Sequence, residues 1–333
     1  MSEPHNEQGD LHSNGEDVTA EFPTRVPITP EDEINPPLPD DAAPRPKRAI
    51  DGSDEMNVPR GTSVQITRLP RPSRPRVLVI ANQKGGVGKT TSAVNLSVAL
   101  AQGGLRVVLI DVDPQGNAST ALGVDHRSGI AGSYELLISD YALVDTLAQS
   151  PESENLFVVP ATTDLAAAEL ELVAVSGRER KLANAIDYYV NTEPVDYVII
   201  DCPPSLGLIT VNAMVAADEL VVPVQAEYYA LEGLSQLLKS VDLVKRGLNN
   251  SLRLSTVLIT MFDARTRLSN QVAEEVRRHF PTETLTTMIP RSVRISEAPG
   301  YGTSVINYDP NSVGANNYRA AATEIALRTQ HQE

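Results

Sequence analysis

The run Gln83-Lys-Gly-Gly-Val-Gly-Lys-Thr-Thr91 constrains this chain more than any other stretch, because it carries two lysines where an ordinary phosphate-binding loop carries one. The usual pattern G-x-x-x-x-G-K-[ST] fails at its first glycine, where Gln83 stands, and the variant K-G-G-x-G-K-T-T remains. Residues 76–81 upstream are the β-branched run Arg-Val-Leu-Val-Ile-Ala, and residues 92–100 downstream place apolar side chains at helical spacing. The loop is therefore expected between a strand and a helix N-terminus. There, backbone N–H groups and the positive helix end wrap a phosphate chain. A nucleotide is expected on Gly85, Gly86, Val87, Gly88, Lys89, Thr90 and Thr91. Lys89 then reaches the β- and γ-phosphates, and the Thr90 hydroxyl holds Mg²⁺.

Two further runs end in carboxylates. Residues 106–113, Arg-Val-Val-Leu-Ile-Asp-Val-Asp, read as a buried strand closing on Asp111 and Asp113. Those two share side-chain parity, and carboxylates at the C-terminal end of such a strand face the crevice where open α/β sheets bind ligands. One can support the waters of the metal while the other positions an attacking water. Residues 196–201, Asp-Tyr-Val-Ile-Ile-Asp, have the form of a Walker B strand, with Asp201 as the Mg²⁺ carboxylate. Cys202 follows with no histidine paired to it in the sequence, so packing is the expected role.

More strands are expected at 156–159, 219–225, 254–262 and 285–289, with helices at 231–246 and 318–328. Strands alternating with helices over some 250 residues imply one doubly wound, mostly parallel sheet covered on both faces. The remainder of the 333-residue chain has another character: 13 of its 24 prolines lie in residues 1–75, and residues 1–55 hold 14 acidic against 4 basic residues, a net −10 of the whole chain's −15. A disordered acidic tail over residues 1–72, ending in a basic linker, is expected before an ATPase domain at 73–333. Because the tail carries most of the acidity, the overall charge does not exclude a nucleic-acid surface on the folded part. No window is apolar enough to cross a bilayer, the first residues lack a secretory pattern, and a single cysteine fits a reducing compartment.

With Lys84-Gly-Gly-Val-Gly-Lys-Thr-Thr91, Asp111-Val-Asp-Pro-Gln-Gly-Asn117, Asp201-Cys-Pro-Pro-Ser-Leu-Gly207 and Ile289-Pro-Arg-Ser-Val-Arg-Ile-Ser-Glu-Ala-Pro299 in this order, residues 76–330 closely resemble the ParA/Soj chromosome-partitioning ATPases of the deviant Walker A class. The resemblance implies a sheet of about seven to eight strands, ATP and Mg²⁺ as ligands, and a homodimer sandwiching two nucleotides. It implies that Lys84 crosses to the partner's nucleotide, that Gly85 lets the two loops approach, and that Asp113 supports the hydrolytic water beside Thr90 and Asp201. It puts Met261, Asp263, Pro290 and Arg291 along the adenine, with Asp111 also near the nucleotide. It places Arg265, Arg267, Arg291 and Arg294 in segments that bind DNA without sequence preference.

The function expected from the resemblance is an ATP switch. Its ATP dimer binds double-stranded DNA, and hydrolysis stimulated by a ParB-type centromere-binding partner releases it, positioning the chromosome origin. The expected location is cytoplasmic and nucleoid-associated, with the tail as a candidate contact for a polar scaffold. A MinD-like membrane-positioned ATPase is the alternative. It calls for a basic, bulky amphipathic C-terminal helix that Ala-Leu-Arg-Thr-Gln-His-Gln-Glu333 does not supply. An iron-sulfur reductase needs more than one cysteine, and a helix-turn-helix repressor needs a less proline-rich N-terminal region.

Overall fold

The computed structural model describes residues 68–328, so the expected tail falls almost wholly outside the described residues. Among the described residues seven strands form one sheet: β1 Arg76–Ile80, β2 Val107–Asp111, β3 Ala148–Gln149, β4 Leu156–Val159, β5 Tyr197–Asp201, β6 Glu219–Gln225 and β7 Arg253–Thr260. Their order is β3-β4-β2-β5-β1-β6-β7, parallel throughout except for the β3 edge.

The strand sequences explain the layering. Every residue of β1, β2 and β5 is buried, as expected when helices cover both faces. Side chains alternate between two cores: Val77, Val79, Val108, Ile110, Val198 and Ile200 enter one, while Leu78, Ile80, Val107, Leu109, Tyr197 and Ile199 enter the other. Helices Lys181–Thr192, Leu208–Ala216, Ala230–Gly247 and Arg267–His279 close the first core through Ile186, Met214, Leu237 and Val276. Helices Lys89–Gln102 and Val313–Leu327 close the second through Leu96, Leu100, Tyr318 and Ile325. Each fully buried aliphatic side chain contributes about 1.5–3 kcal/mol.

Two expectations need correction, and one short strand is new. Residues 285–289 do not form a strand; they follow the edge of β7 through isolated bridges, Val257 to Thr284 and Phe262 to Pro290. Leu285 and Ile289 still donate to the Val257 and Ile259 carbonyls at 3.0 and 2.8 Å, but the rung between them is missing because Glu324 accepts the Thr287 N–H at 2.8 Å, along with that of Thr286 at 2.8 Å. The short antiparallel β3 was not expected, since two residues carry no readable period. The closing helix begins at Val313 rather than 318, because the Ser312 hydroxyl accepts the Ala315 N–H at 3.2 Å and caps it.

The carboxyl ends of β1, β2 and β5 lie side by side. Register pairs Ile80 with Asp201 and Asp111 with Asp201. Three loops bearing the sequence motifs thus open on one edge of the sheet. At the opposite edge the Leu69 N–H donates to the Gly103 carbonyl at 2.9 Å, fixing where the chain enters the domain.

Candidate nucleotide site

The phosphate loop is braced from three sides. Gly86 and Gly88 adopt positive φ of 75° and 88°, which side-chain-bearing residues rarely reach, and Gly88 leads directly into helix Lys89–Gln102. Val87 is buried between them, and its carbonyl accepts the Thr260 hydroxyl at 2.8 Å, tying the loop to the end of β7. Asn82 accepts the Lys84 N–H at 3.0 Å and donates to the Pro223 carbonyl at 2.8 Å, tying it to β6. A Cβ on Gly85 would meet nothing within 4 Å, so nothing among the described residues demands glycine there.

The three aspartates behave differently. Asp111 accepts the Ser119 N–H and hydroxyl at 2.9 and 2.8 Å and the Asp113 N–H at 3.1 Å. Complete burial nevertheless pushes its carboxyl up to about 6. It shapes the turn after β2. Asp113 accepts the Gln115 N–H at 3.1 Å, a local turn contact that leaves its second oxygen available. Asp201 is wholly buried, and both its carboxylate oxygens lack a hydrogen bond of ordinary geometry. Burial raises its titration well above the carboxylate range, and the neighbouring Asp111 adds to the rise; the Thr90 hydroxyl and the Lys89 charge act in the opposite sense. A charge held dry and short of partners, beside a hydroxyl, is what a hard divalent cation would satisfy. Among the described residues no group of three His, Cys, Asp or Glu side chains forms a closed cage, so such an ion needs oxygens from its ligand.

The two loop lysines part company. Lys89 is only 7% exposed, its ammonium 3.4 Å from the Lys84 carbonyl, and burial lowers its titration against the pull of Asp201 and Asp113. Lys84 stands at the rim with its side chain 41% exposed, 2.8 Å from the Glu227 carboxylate. Cys202 is buried, and burial drives its thiol well above the usual range, as a packing role requires.

The segments expected along the adenine do converge. Phe262, Asp263, Pro290 and Arg291 line a depression of ≈480 Å³, and Met261 before them takes a left-handed φ of 50° that ends β7. A second cavity of ≈430 Å³ opens beside Thr90 and Thr91, lined also by Asn95, Asn117, Thr120 and Thr303. Sequence reasoning did not select Asn95 or Thr303, nor Glu152, whose buried carboxylate gathers Thr303, Ser304 and Asn307 behind that wall. They lie far apart in the chain and match no motif. Of the candidate DNA arginines, Arg265 and Arg291 share the first depression, Arg267 opens helix Arg267–His279, and Arg294 lies in helix Val293–Glu297. Arg265 is paired with Asp263 through two bonds of 2.9 and 2.8 Å, holding that carboxyl at about 2, and Arg294 pairs with Glu297 and Asp309. No helix among the described residues is long and apolar enough to cross a membrane.

A family model described as an AAA domain matches residues 75–254. The chain is 51% identical over 251 residues to the sporulation initiation inhibitor protein Soj of Bacillus subtilis, covering 75% of this chain and 98% of that protein. It is 47% identical to the chromosome partitioning protein ParA of Myxococcus xanthus, covering 76% and 88%. Among solved structures, cobyrinic acid a,c-diamide synthase of Mycobacterium smegmatis with bound ADP and magnesium superposes with a TM-score of 0.66 at 36% identity, covering 78% of this chain and 96% of that one. The septum site-determining protein MinD of Pyrococcus horikoshii with Mg-ADP gives 0.60 at 26% identity, covering 75% and 96%. Identity is higher to Soj and ParA than to either of these structures, over comparable lengths.

Proposed function

Because the chain belongs to the ParA/Soj family of chromosome-partitioning ATPases, we propose that it is an ATP-driven switch whose two states differ in dimerisation and DNA affinity. The observation carrying this reading is the divergence of the two loop lysines. Lys89 is committed to the interior of its own site, whereas Lys84 stands outside it, next to a glycine that nothing among the described residues crowds. A second copy facing this loop would account for both.

In this reading the loop N–H groups from Gly85 to Thr91 and Lys89 bind the phosphates, and Met261, Asp263, Pro290 and Arg291 border the base. Bound Mg²⁺ would neutralise phosphate charge, held by Thr90 with Asp201 and Asp113 close by. Asp113, partly free of its turn, orients the attacking water. Lys84 reaches the nucleotide of the facing subunit and completes charge stabilisation only in the dimer. Hydrolysis is therefore slow in the monomer and responsive to a ParB-type partner. The ATP dimer carries doubled Arg265, Arg267, Arg291 and Arg294, which together neutralise DNA phosphates without reading sequence. The location that follows is cytoplasmic, on the nucleoid.

The test is sedimentation with ATP and Mg²⁺. Lys84→Ala is expected to stay monomeric while still binding nucleotide through Lys89; dimers equal to wild type would remove the cross-subunit role. Titration of DNA against salt should show binding with ATP and not ADP, and Arg294→Glu should make the salt dependence shallower by about one to two in logarithmic slope.

A further inference from the structure

The Lys84 ammonium is already engaged inside the single chain. Its partner Glu227 lies in the turn after β6, 143 residues away, at 2.8 Å. Glu227 is itself aimed: the Gln225 side-chain amide donates to its other carboxylate oxygen, and the Glu227 N–H donates to the Gln225 carbonyl at 2.8 Å. The loop end of the contact is equally set, since Asn82 holds the Lys84 N–H and the Lys84 carbonyl accepts from Lys89. Beside the pair, Tyr228 and Tyr229 stand 78% and 65% exposed, their rings edge to face at 5.1 Å. An ion pair on a braced loop and a braced turn is a defined resting position for Lys84.

We propose that Glu227 is a positioning residue that parks Lys84 in the monomer and sets the threshold for its transfer to a second copy of this chain. The inference rests on the cross-subunit reading of Lys84 given above. A lysine bound to its own Glu227 cannot at the same time reach a facing nucleotide, so each subunit must open this pair before the dimer closes. A two-fold dimer opens two pairs, and the cost enters the association constant twice. The pair is roughly two-fifths exposed on each side, so it is the screened, weak kind of ion pair. A weak lock suits this use. It is strong enough to disfavour chance association and weak enough for bound nucleotide to outcompete.

The experiment compares wild type, Glu227→Gln, Glu227→Asp and Lys84→Ala as full-length chains. Dimer formation is followed by sedimentation velocity with a slowly hydrolysed ATP analogue and Mg²⁺, and in parallel with ADP. Glu227→Gln should tighten analogue-dependent dimerisation about two- to thirtyfold, the square of the effect of one exposed pair. Glu227→Asp, which keeps the charge, should stay nearer wild type, and raising salt should narrow the gap between wild type and Glu227→Gln. With ADP all should remain monomeric. If Lys84→Ala loses the dimer while Glu227→Gln matches wild type or dimerises less, the parking role is overturned and the cross-subunit reading stands. If Lys84→Ala dimerises as well as wild type, that reading falls and the parking role falls with it.

Discussion

Two buried carboxylates at opposite ends of the same sheet have opposite surroundings. Glu219 opens β6 and receives Arg76 through two bonds of 2.7 Å, with Arg253 at 3.3 Å. Burial pushes its titration up, but the Arg76 hydrogen bonds and charge outweigh that and leave it below the ordinary range. Arg76 in turn bonds the Tyr197 hydroxyl at 2.9 Å and the Ile325 carbonyl at 2.7 Å, joining the first strand, a central strand and the closing helix. Asp201 closes β5 with neither oxygen in a hydrogen bond of ordinary geometry, and its titration is raised. The satisfied acid holds the fold. The unsatisfied one stores a demand for positive charge where a nucleotide and its metal are proposed to bind.

The comparison is most severely tested by removing one partner at each end. Arg76→Ala leaves Glu219 buried with a single, half-exposed arginine and should cost about 3–5 kcal/mol in urea unfolding, with hydrolysis preserved in whatever remains folded. Asp201→Asn should do the reverse. ATPase activity should fall about a hundredfold or more while unfolding free energy holds or rises. Equal destabilisation by both would erase the distinction between the two acids.

The pH dependence sharpens it further. Asp111 rises from 3.8 to about 6 on folding, so the folded state binds the extra proton and stability should fall as pH climbs through that window. The slope approaches 1.4 kcal/mol per unit for one proton, and Asp111→Asn should flatten it. Glu219, shifted the other way, contributes stability above its unfolded value and loses it only as acid takes the pH below about 4.5. Glu219→Gln should remove that acid limb by lowering stability above it, since Arg76 is left buried without its carboxylate, and should leave the Asp111 limb in place. The smallest effect is expected from Tyr197→Phe, which deprives Arg76 of one acceptor and should cost about 1–2 kcal/mol without altering turnover.

Much of the nucleotide end was legible because its chemistry is written in short contiguous runs. Glycines at 86 and 88 must stand where φ is positive, Lys89 and Thr90 follow them at the helix start, Asp111 and Asp201 end apolar strands, and Asp113 stands in the turn just after the first of these. Continuous apolar, β-branched runs likewise identified six of the seven strands among the described residues. Residues 285–289 misled because apolar β-branched content says nothing of where the backbone donors go, and Glu324 had claimed two of them. The division of labour among the three aspartates was also illegible. Asp111 and Asp113 share parity, yet Ser119 occupies one and leaves the other freer.

The sequence by itself determined the family, the doubly wound sheet and the glycine-rich loop that joins its first strand to its first helix, since local spacing and apolar runs specify backbone geometry directly. Tertiary structure alone decided that Glu219 is paired with arginine while Asp201 is not, and that Lys84 rests on Glu227 across 143 residues of chain. Those pairings depend on which strand ends the sheet order brings together, and burial sets the energetic weight of each only after the chain has closed around them.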